Sequence, residues 1–239
     1  SSPQNCFDTA FEACRIATQH MTPVILLSDG YIANGAEPWR FPQTADLPEV
    51  SVHFKKKLNN DEEKFQPYTR DERLVRPWVT PGTPGMEHRI GGIEKQHITG
   101  NVSYDPENHQ FMVKIREGKV EKISDDIPEQ QLDAGPGKGK LLVLGWGSTY
   151  GAIKSAVAEL LDQGYSVSHA HIRYLRPFPK NLGQIIQNFE QILVPEINNG
   201  QLIKIIRDKY LVDAKGYNKI MGVPITKGEL VDVMKKMLE

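Results

Sequence analysis

Cysteine is nearly missing from the 239 residues: only Cys6 and Cys14 occur, and no Cys-x-x-Cys is present. That scarcity argues against an iron–sulfur or zinc site built by this chain alone. The two cysteines, on one predicted helix, read as small apolar residues in a reducing compartment. Net charge is missing too. The 29 basic and 30 acidic residues leave a formal charge of -1, so no overall field draws nucleic acid or an anionic membrane. Long apolar runs are also lacking, since Pro23 to Leu27 and Leu141 to Gly145 fall far short of the ~20 residues that span a bilayer. The opening Ser1-Ser2-Pro3 has neither an initiator Met nor a basic stretch followed by an apolar one. The expectation is no secretion signal, a cytoplasmic location and a start within a longer protein. No Gly-x-Ser-x-Gly occurs, so a nucleophile elbow is absent.

What is present, 39% hydrophobic and 25% charged residues, suits a globular chain with one large or two modest cores. Ser2-Pro3 followed by Phe7, Ala10, Phe11, Cys14 and Ala17 at helical spacing predicts a helix over Pro3 to Gln19. The continuous apolar run from Pro23 to Leu27, ending in Ser28-Asp29-Gly30, predicts a strand buried on both faces. From Glu37 to Tyr104 the pattern dissolves into Pro, Gly and charge, as in Lys55-Lys56-Lys57 and Pro81 to Gly85, and reads as a connector wrapping a surface. Asp105-Pro106 opens a helix near 105–123, on which Phe111, Met112, Ile115 and Val120 form a weak apolar stripe.

Gly135 to Gly139 is a hinge by composition, and regular alternation of strand and helix begins behind it. The predicted order is a strand from Leu141 to Leu144, a helix with Ile153, Ala156, Val157, Leu160 and Leu161 inward and Gly164 at its end, and a strand from Tyr165 to Ile172. A helix from Pro177, a strand from Gln191 to Pro195, a helix opened by Asn199-Gly200 and a last helix capped by Thr226 and Glu229 complete the order. The fold class is therefore α/β, a mostly parallel sheet with helices on both faces, occupying 135–239. Residues 45–134 form the connector and 1–44 the end of another domain.

Ligands of an open α/β sheet gather beyond the carboxyl ends of its strands, and three segments fall there. The turn with Gly145, Gly147, Ser148, Thr149 and Gly151 either cradles a phosphate or carboxylate or simply permits a tight turn. Its G-x-G-x-x-x-G spacing is not a dinucleotide fingerprint. Arg173 and Arg176 leave a strand end together, suited to an anion or to pairing at a subunit interface. Glu196, Asn198, Asn199 and Gln201 place a carboxylate and three amides between a buried strand and a helix, as interface or ligand contacts; capping by Asn199 accounts for only one of them. His169 and His171 share a strand face but find no third metal ligand. Arg70, Arg73, Arg76 and Arg89, in the connector, default to solvent-exposed charge.

Taken together, Thr22 to Gly30, Pro77 to Gly85, Thr99-Gly100 and Asp105 to Asn108 closely resemble the alpha subunit of 2-oxoacid:ferredoxin oxidoreductases, and the 2-oxoglutarate branch in particular. Leu141 to Gly151, Tyr174 to Pro179 and Glu196 to Gln201 resemble that family's second domain, which is similar to the carboxy-terminal domain of transketolase. The resemblance implies a thiamine diphosphate enzyme that turns 2-oxoacid, CoA and oxidised ferredoxin into acyl-CoA, CO2 and reduced ferredoxin. It also implies that residues 1–44 are only the end of the pyrimidine-binding domain. Thiamine diphosphate, magnesium and the iron–sulfur cluster would then belong mainly to a partner beta subunit, with none expected on this chain. Ferredoxin and CoA would be met through the complex, and the isolated chain is expected either to self-associate or to repack the apolar surface of Phe7, Phe11, Val24 and Leu26 onto the connector. No catalytic residue carries over, and the expected role is interface formation and positioning of the cofactor cleft. The alternative is a stand-alone Rossmann-like nucleotide- or CoA-binding or structural interaction module.

Overall fold

The computed structural model describes residues 1–58 and 63–239, so residues 59–62 of the expected connector lie outside it. The chain divides into two compact units. One comprises Ser1–Asp8, Leu27–Arg40 and Ile127–Glu239, and the other Thr9–Leu26 and Phe41–Asp126.

The first unit is built on four parallel strands, β1 (Gly139–Gly145), β2 (Val167–His171), β3 (Phe189–Glu196) and β4 (Lys215–Asn218), in the order β2-β1-β3-β4. Alternation along β1 shows why both faces need cover. Leu142 and Leu144 join one core cluster, with Leu182, Ile186, Leu202 and Ile206, while Leu141 and Val143 join the other, with Ile153, Leu160, Leu230 and Met234. The helices that supply these residues are α4 (Tyr150–Asp162) and α7 (Lys227–Leu238) on one face, and α5 (Leu182–Gln187) and α6 (Leu202–Tyr210) on the other. This is the expected α/β architecture with helices on both faces. Gly164, at φ +82°, ends α4, its N–H donating to Leu161 O at 2.9 Å. Thr226 and Glu229 form the predicted capping box of α7. The same unit holds the short helix α2 (Gly30–Ala33), whose amino end Asp29 caps through Tyr31 N at 3.0 Å and Ile32 N at 3.1 Å.

The second unit contains α3 (Pro106–Lys122) and most of α1 (Asn5–Gln19), whose first turn lies in the other unit. Asp105 caps α3 through Glu107 N and Asn108 N, with Pro106 at the first position, as the sequence predicts. Isolated bridges pair Phe54 with Trp78, Tyr68 with Ile98 and Lys95 with Val102, in place of a continuous sheet. Single polar side chains complete the framework. Asn108 accepts from His97 N and donates to Lys95 O, both at 2.9 Å, and Trp78 Nε1 donates to Thr18 O at 2.9 Å. Buried Phe65, Val75, Met86 and Met112 supply its apolar centre.

Several expectations need correction. Pro23 to Leu27 forms no strand, and Ile25 and Leu27 are 83% and 62% exposed. A strand covered on both faces requires neighbours on both edges, and no described residue pairs with this run. The β2 strand is shorter than predicted, α5 begins at Leu182 instead of Pro177, and β4 was not anticipated at all. Lys215–Asn218 is polar because it is an edge strand with little face to bury. Leu211, 91% exposed at the end of α6, sits at φ +52°, a region costly for a branched side chain. We predict that Leu211→Gly stabilises the fold by about 1 kcal/mol. The urea midpoint should rise with unchanged slope; a fall would mean that the leucine makes a contact worth more than its strain.

Candidate functional site

The carboxyl edge of the sheet brings the predicted segments to one end of the fold, and the chain's own side chains occupy much of it. At the end of β1, Gly147 takes φ +58°, and Ser148 N donates to Asp29 Oδ2 at 3.2 Å, so the carboxylate that caps α2 also reaches this turn. Thr149 is buried, with its hydroxyl accepting from Trp146 N at 3.2 Å and donating to Trp146 O at 2.8 Å. Gly145 is a close-approach glycine: a Cβ there would lie 2.5 Å from Ile153 Cδ1 and 3.1 Å from His171 Nδ1. Gly151 faces open space.

At the end of β3, Glu196 is fully buried, and its two carboxylate oxygens accept from Leu202 N at 2.9 Å and Ile203 N at 3.1 Å. A carboxylate on the first amides of a helix satisfies orphan donors and meets the positive end of the dipole. Removing it would leave two buried N–H groups unpaired, at a cost of about 1–3 kcal/mol each. Asn198 Oδ1 accepts from Gly200 N at 2.9 Å and Gln201 N at 3.0 Å. Asn198 and Glu196 thus supply the capping expected of Asn199, whose side chain is exposed, as is that of Gln201. Arg173 and Arg176 are also exposed, beyond the end of β2. The Glu196 cluster and the Gly145 turn are therefore each drawn together, and each is closed by a carboxylate of this chain.

His169 and His171 project from one face of β2 toward Tyr150, whose ring centroid lies 5.6 and 4.9 Å from theirs. Both imidazoles are buried, and neither nitrogen of His169 has a hydrogen-bond partner. Burial pushes the His169 pKa down to about 4. It pushes that of His171 down to about 3, helped by His169 and the nearby cations Ser1 N and Arg173. No group of three or more His, Cys, Asp or Glu side chains among the described residues is placed to hold a metal ion. Trp146 N and Ser148 N at the first turn, and Gly200 N, Gln201 N, Leu202 N and Ile203 N at the second, already donate to side chains of this chain. Asp29 is the residue of this edge that sequence reasoning did not single out, although its place just before a helix is an N-cap signal.

Residues 1–103 match the family described as pyruvate flavodoxin/ferredoxin oxidoreductase, thiamine diphosphate-binding, and residues 139–232 match pyruvate:ferredoxin oxidoreductase core domain II. The 2-oxoglutarate oxidoreductase subunit KorA of Mycobacterium tuberculosis (strain ATCC 25618 / H37Rv) is 47% identical over 96% of this chain and 34% of its own length. Subunit alpha of 2-oxoacid:ferredoxin oxidoreductase 2 of Aeropyrum pernix is 28% identical over 98% of this chain and 36% of its own. This chain thus spans about a third of the length of these curated relatives. A solved structure of 2-oxoglutarate:ferredoxin oxidoreductase from Magnetococcus marinus covers 98% of this chain and 41% of its own, with a TM-score of 0.87 at 24% identity; that likeness shows the fold.

The histidine pair sets a pH response. Each folded-state pKa lies below the ordinary 6.5, so the unfolded chain binds protons first. The stability from the neutral pair is complete above about pH 6.5 and is lost as pH falls through about 4 to 3. We predict that wild type loses about 2 kcal/mol more than His169→Leu between pH 7 and pH 5, read as the difference in urea unfolding free energy. Parallel losses in the two proteins would show that protonation of His169 does not oppose folding.

Proposed function

We propose that this chain, which belongs to the alpha-subunit family of 2-oxoacid:ferredoxin oxidoreductases, forms subunit interface and positions the cofactor cleft in such an enzyme without being catalytic alone. The reaction of the whole enzyme would convert a 2-oxoacid, most fittingly 2-oxoglutarate, with CoA and oxidised ferredoxin into acyl-CoA, CO2 and reduced ferredoxin. The M. tuberculosis relative's name supports that substrate. By sequence segment, 1–44 is the end of the pyrimidine-binding domain, 45–134 the connector and 135–239 the second domain; the match over 139–232 supports the last of these, whereas the match over 1–103 runs past residue 44. Thiamine diphosphate, magnesium and the iron–sulfur cluster are held mainly by a partner beta subunit, and ferredoxin and CoA meet the complex. The engagement of Ser148 N by Asp29 and of Leu202 N and Ile203 N by Glu196 supports this, because those amides already have an anionic partner within the chain. The same engagement counts against a stand-alone nucleotide-binding module. No described helix is long and apolar enough to cross a membrane, in keeping with a cytoplasmic complex.

The observation that carries the interface reading is the apolar run Val24 to Leu27, all four residues lying open to solvent. A contiguous apolar patch of this kind marks a surface that another surface covers. In the assembled enzyme that cover is the rest of the pyrimidine-binding domain. Exposed Arg173, Asn199, Gln201 and Gly151 are the part of the sheet edge that we assign to polar contact with the neighbouring subunit.

Two measurements test this. The purified chain alone should give no 2-oxoglutarate- and CoA-dependent reduction of ferredoxin or methyl viologen, and turnover without a second polypeptide would sink the reading. Light scattering across a concentration series should show self-association of the chain that Ile25→Glu combined with Leu27→Glu abolishes. A wild-type chain that stays monomeric throughout would remove the argument from the open apolar run.

A further inference from the structure

Arg70, Arg76, Lys95, Arg116 and Lys119 converge on one cavity of about 240 Å³, lying wholly within the unit made by Thr9–Leu26 and Phe41–Asp126. The one carboxylate in its wall, Glu94, is already engaged, with His109 Nδ1 at 2.5 Å and Arg116 at 3.4 Å. The other four cations face neutral acceptors. Arg70 donates to Tyr68 O at 2.9 Å and to Met112 Sδ at 3.4 Å, and lies 3.0 Å from His97 Nδ1. Arg76 sits 4.9 Å over the ring of Tyr68. Lys119 Nζ donates to Met21 O at 2.7 Å. Lys95, only 6% exposed, gives its ammonium to the carbonyls of Arg89 and Gly91. Among the described residues, none of these four takes part in an ion pair.

Buried and half-buried cations without counter-charge are costly, and here they also repel one another. Burial first, then Arg76 and Arg116, lowers the pKa of Arg70. Burial first, then Arg76, Arg70 and Arg116, lowers that of Lys119. Each group's charged form is thus disfavoured by the others, the condition that an incoming anion relieves. Guanidinium forks match the oxygen geometry of a phosphate, and a flexible ammonium beside them supplies a further point charge. Ile90 and Ile93, both exposed in the cavity's wall, provide apolar contact for a carbon skeleton attached to the anion.

We propose that this cavity is a phosphate site, in which Arg70, Arg76 and Lys119 hold a phosphate group, either free or as the end group of a small organic ester. The proposal concerns the connector alone and does not depend on the subunit-interface reading. It is tested by isothermal titration of the full chain with inorganic phosphate and, separately, with ADP, at ionic strength matched by sodium chloride. The expected result is saturable one-site binding that Arg76→Gln weakens at least tenfold and that exposed Lys204→Gln on α6 leaves unchanged. Tighter binding of ADP identifies a phosphate ester as the fitting source, and tighter binding of inorganic phosphate the free ion. Arg76→Gln is the primary variant because its guanidinium stacks on a ring, whereas Arg70 also supports Tyr68 and Met112; circular dichroism confirms that the variant is folded. In a melting experiment, the better probe should raise the wild-type midpoint and leave that of Arg76→Gln in place. Absence of saturable binding with both probes, or equal binding by wild type and folded Arg76→Gln, overturns the proposal.

Discussion

A parallel sheet covered on both faces turns the amino ends of its helices toward one edge, and the first amides of each helix have no partner within the helix. In this chain the carboxylate of Glu196, at the end of β3, accepts from the two leading amides of α6 while itself fully shut off from water. The arrangement is self-consistent in both directions. The amides stabilise a buried negative charge that would otherwise be prohibitive, and the charge satisfies donors that would otherwise be unpaired. The carbonyl of the same residue accepts from Lys219 N at 2.9 Å, so Glu196 links β3 to the segment just after β4 as well as to α6. The packing of Leu202, Ile203 and Ile206 against the sheet follows from that anchorage.

The same economy governs the turn after β1. Asp29 bonds two amides of α2 with one oxygen and Ser148 N with the other, so a residue distant in sequence is fixed to the mouth of the sheet. Gly147 suits this turn because its φ of +58° lies in a backbone region that side chains rarely adopt; a Cβ there would make only ordinary contact with Asp29 Oδ2, at 3.5 Å. Sites that in other α/β folds await an anionic ligand are here completed internally.

The sequence was most legible where burial is periodic. The continuous Leu141 to Leu144 run and the Ile153, Ala156, Val157, Leu160 stripe place β1 and α4 correctly, because both faces of one and one face of the other lie in the cores. It was least legible where partners, not patterns, decide. Lys215–Asn218 is a strand because β3 offers an edge, and nothing in Lys-Gly-Tyr-Asn announces that. Pro23 to Leu27 carries the opposite error, since apolar composition records a need for cover and cannot say which residues supply it. Glu196 and Asn198 were singled out for the right reason, polar groups between a strand and a helix, yet the structure spends both on the backbone. Arg70 and Arg76 were assigned to solvent because a connector has no periodicity to fold over. Only the tertiary approach of α3 shows that they line a cavity.

The two kinds of polar site in this chain differ in one decisive respect. At the sheet edge, the carboxylates of Asp29 and Glu196 meet backbone amides within the fold, and Arg173 and Arg176 stand exposed beside them. In the connector, cations gather around a single committed carboxylate and lean on carbonyls, a sulfur and an aromatic ring. Neutral acceptors satisfy donor geometry but do not neutralise charge, and in a partly buried setting that distinction is worth more than the hydrogen bonds themselves. An unbalanced field is thus concentrated in the segment that sequence composition marks as structureless. The α/β unit, whose fold most suggests a ligand, turns Asp29, Glu196 and Asn198 onto amides at the places where one would bind.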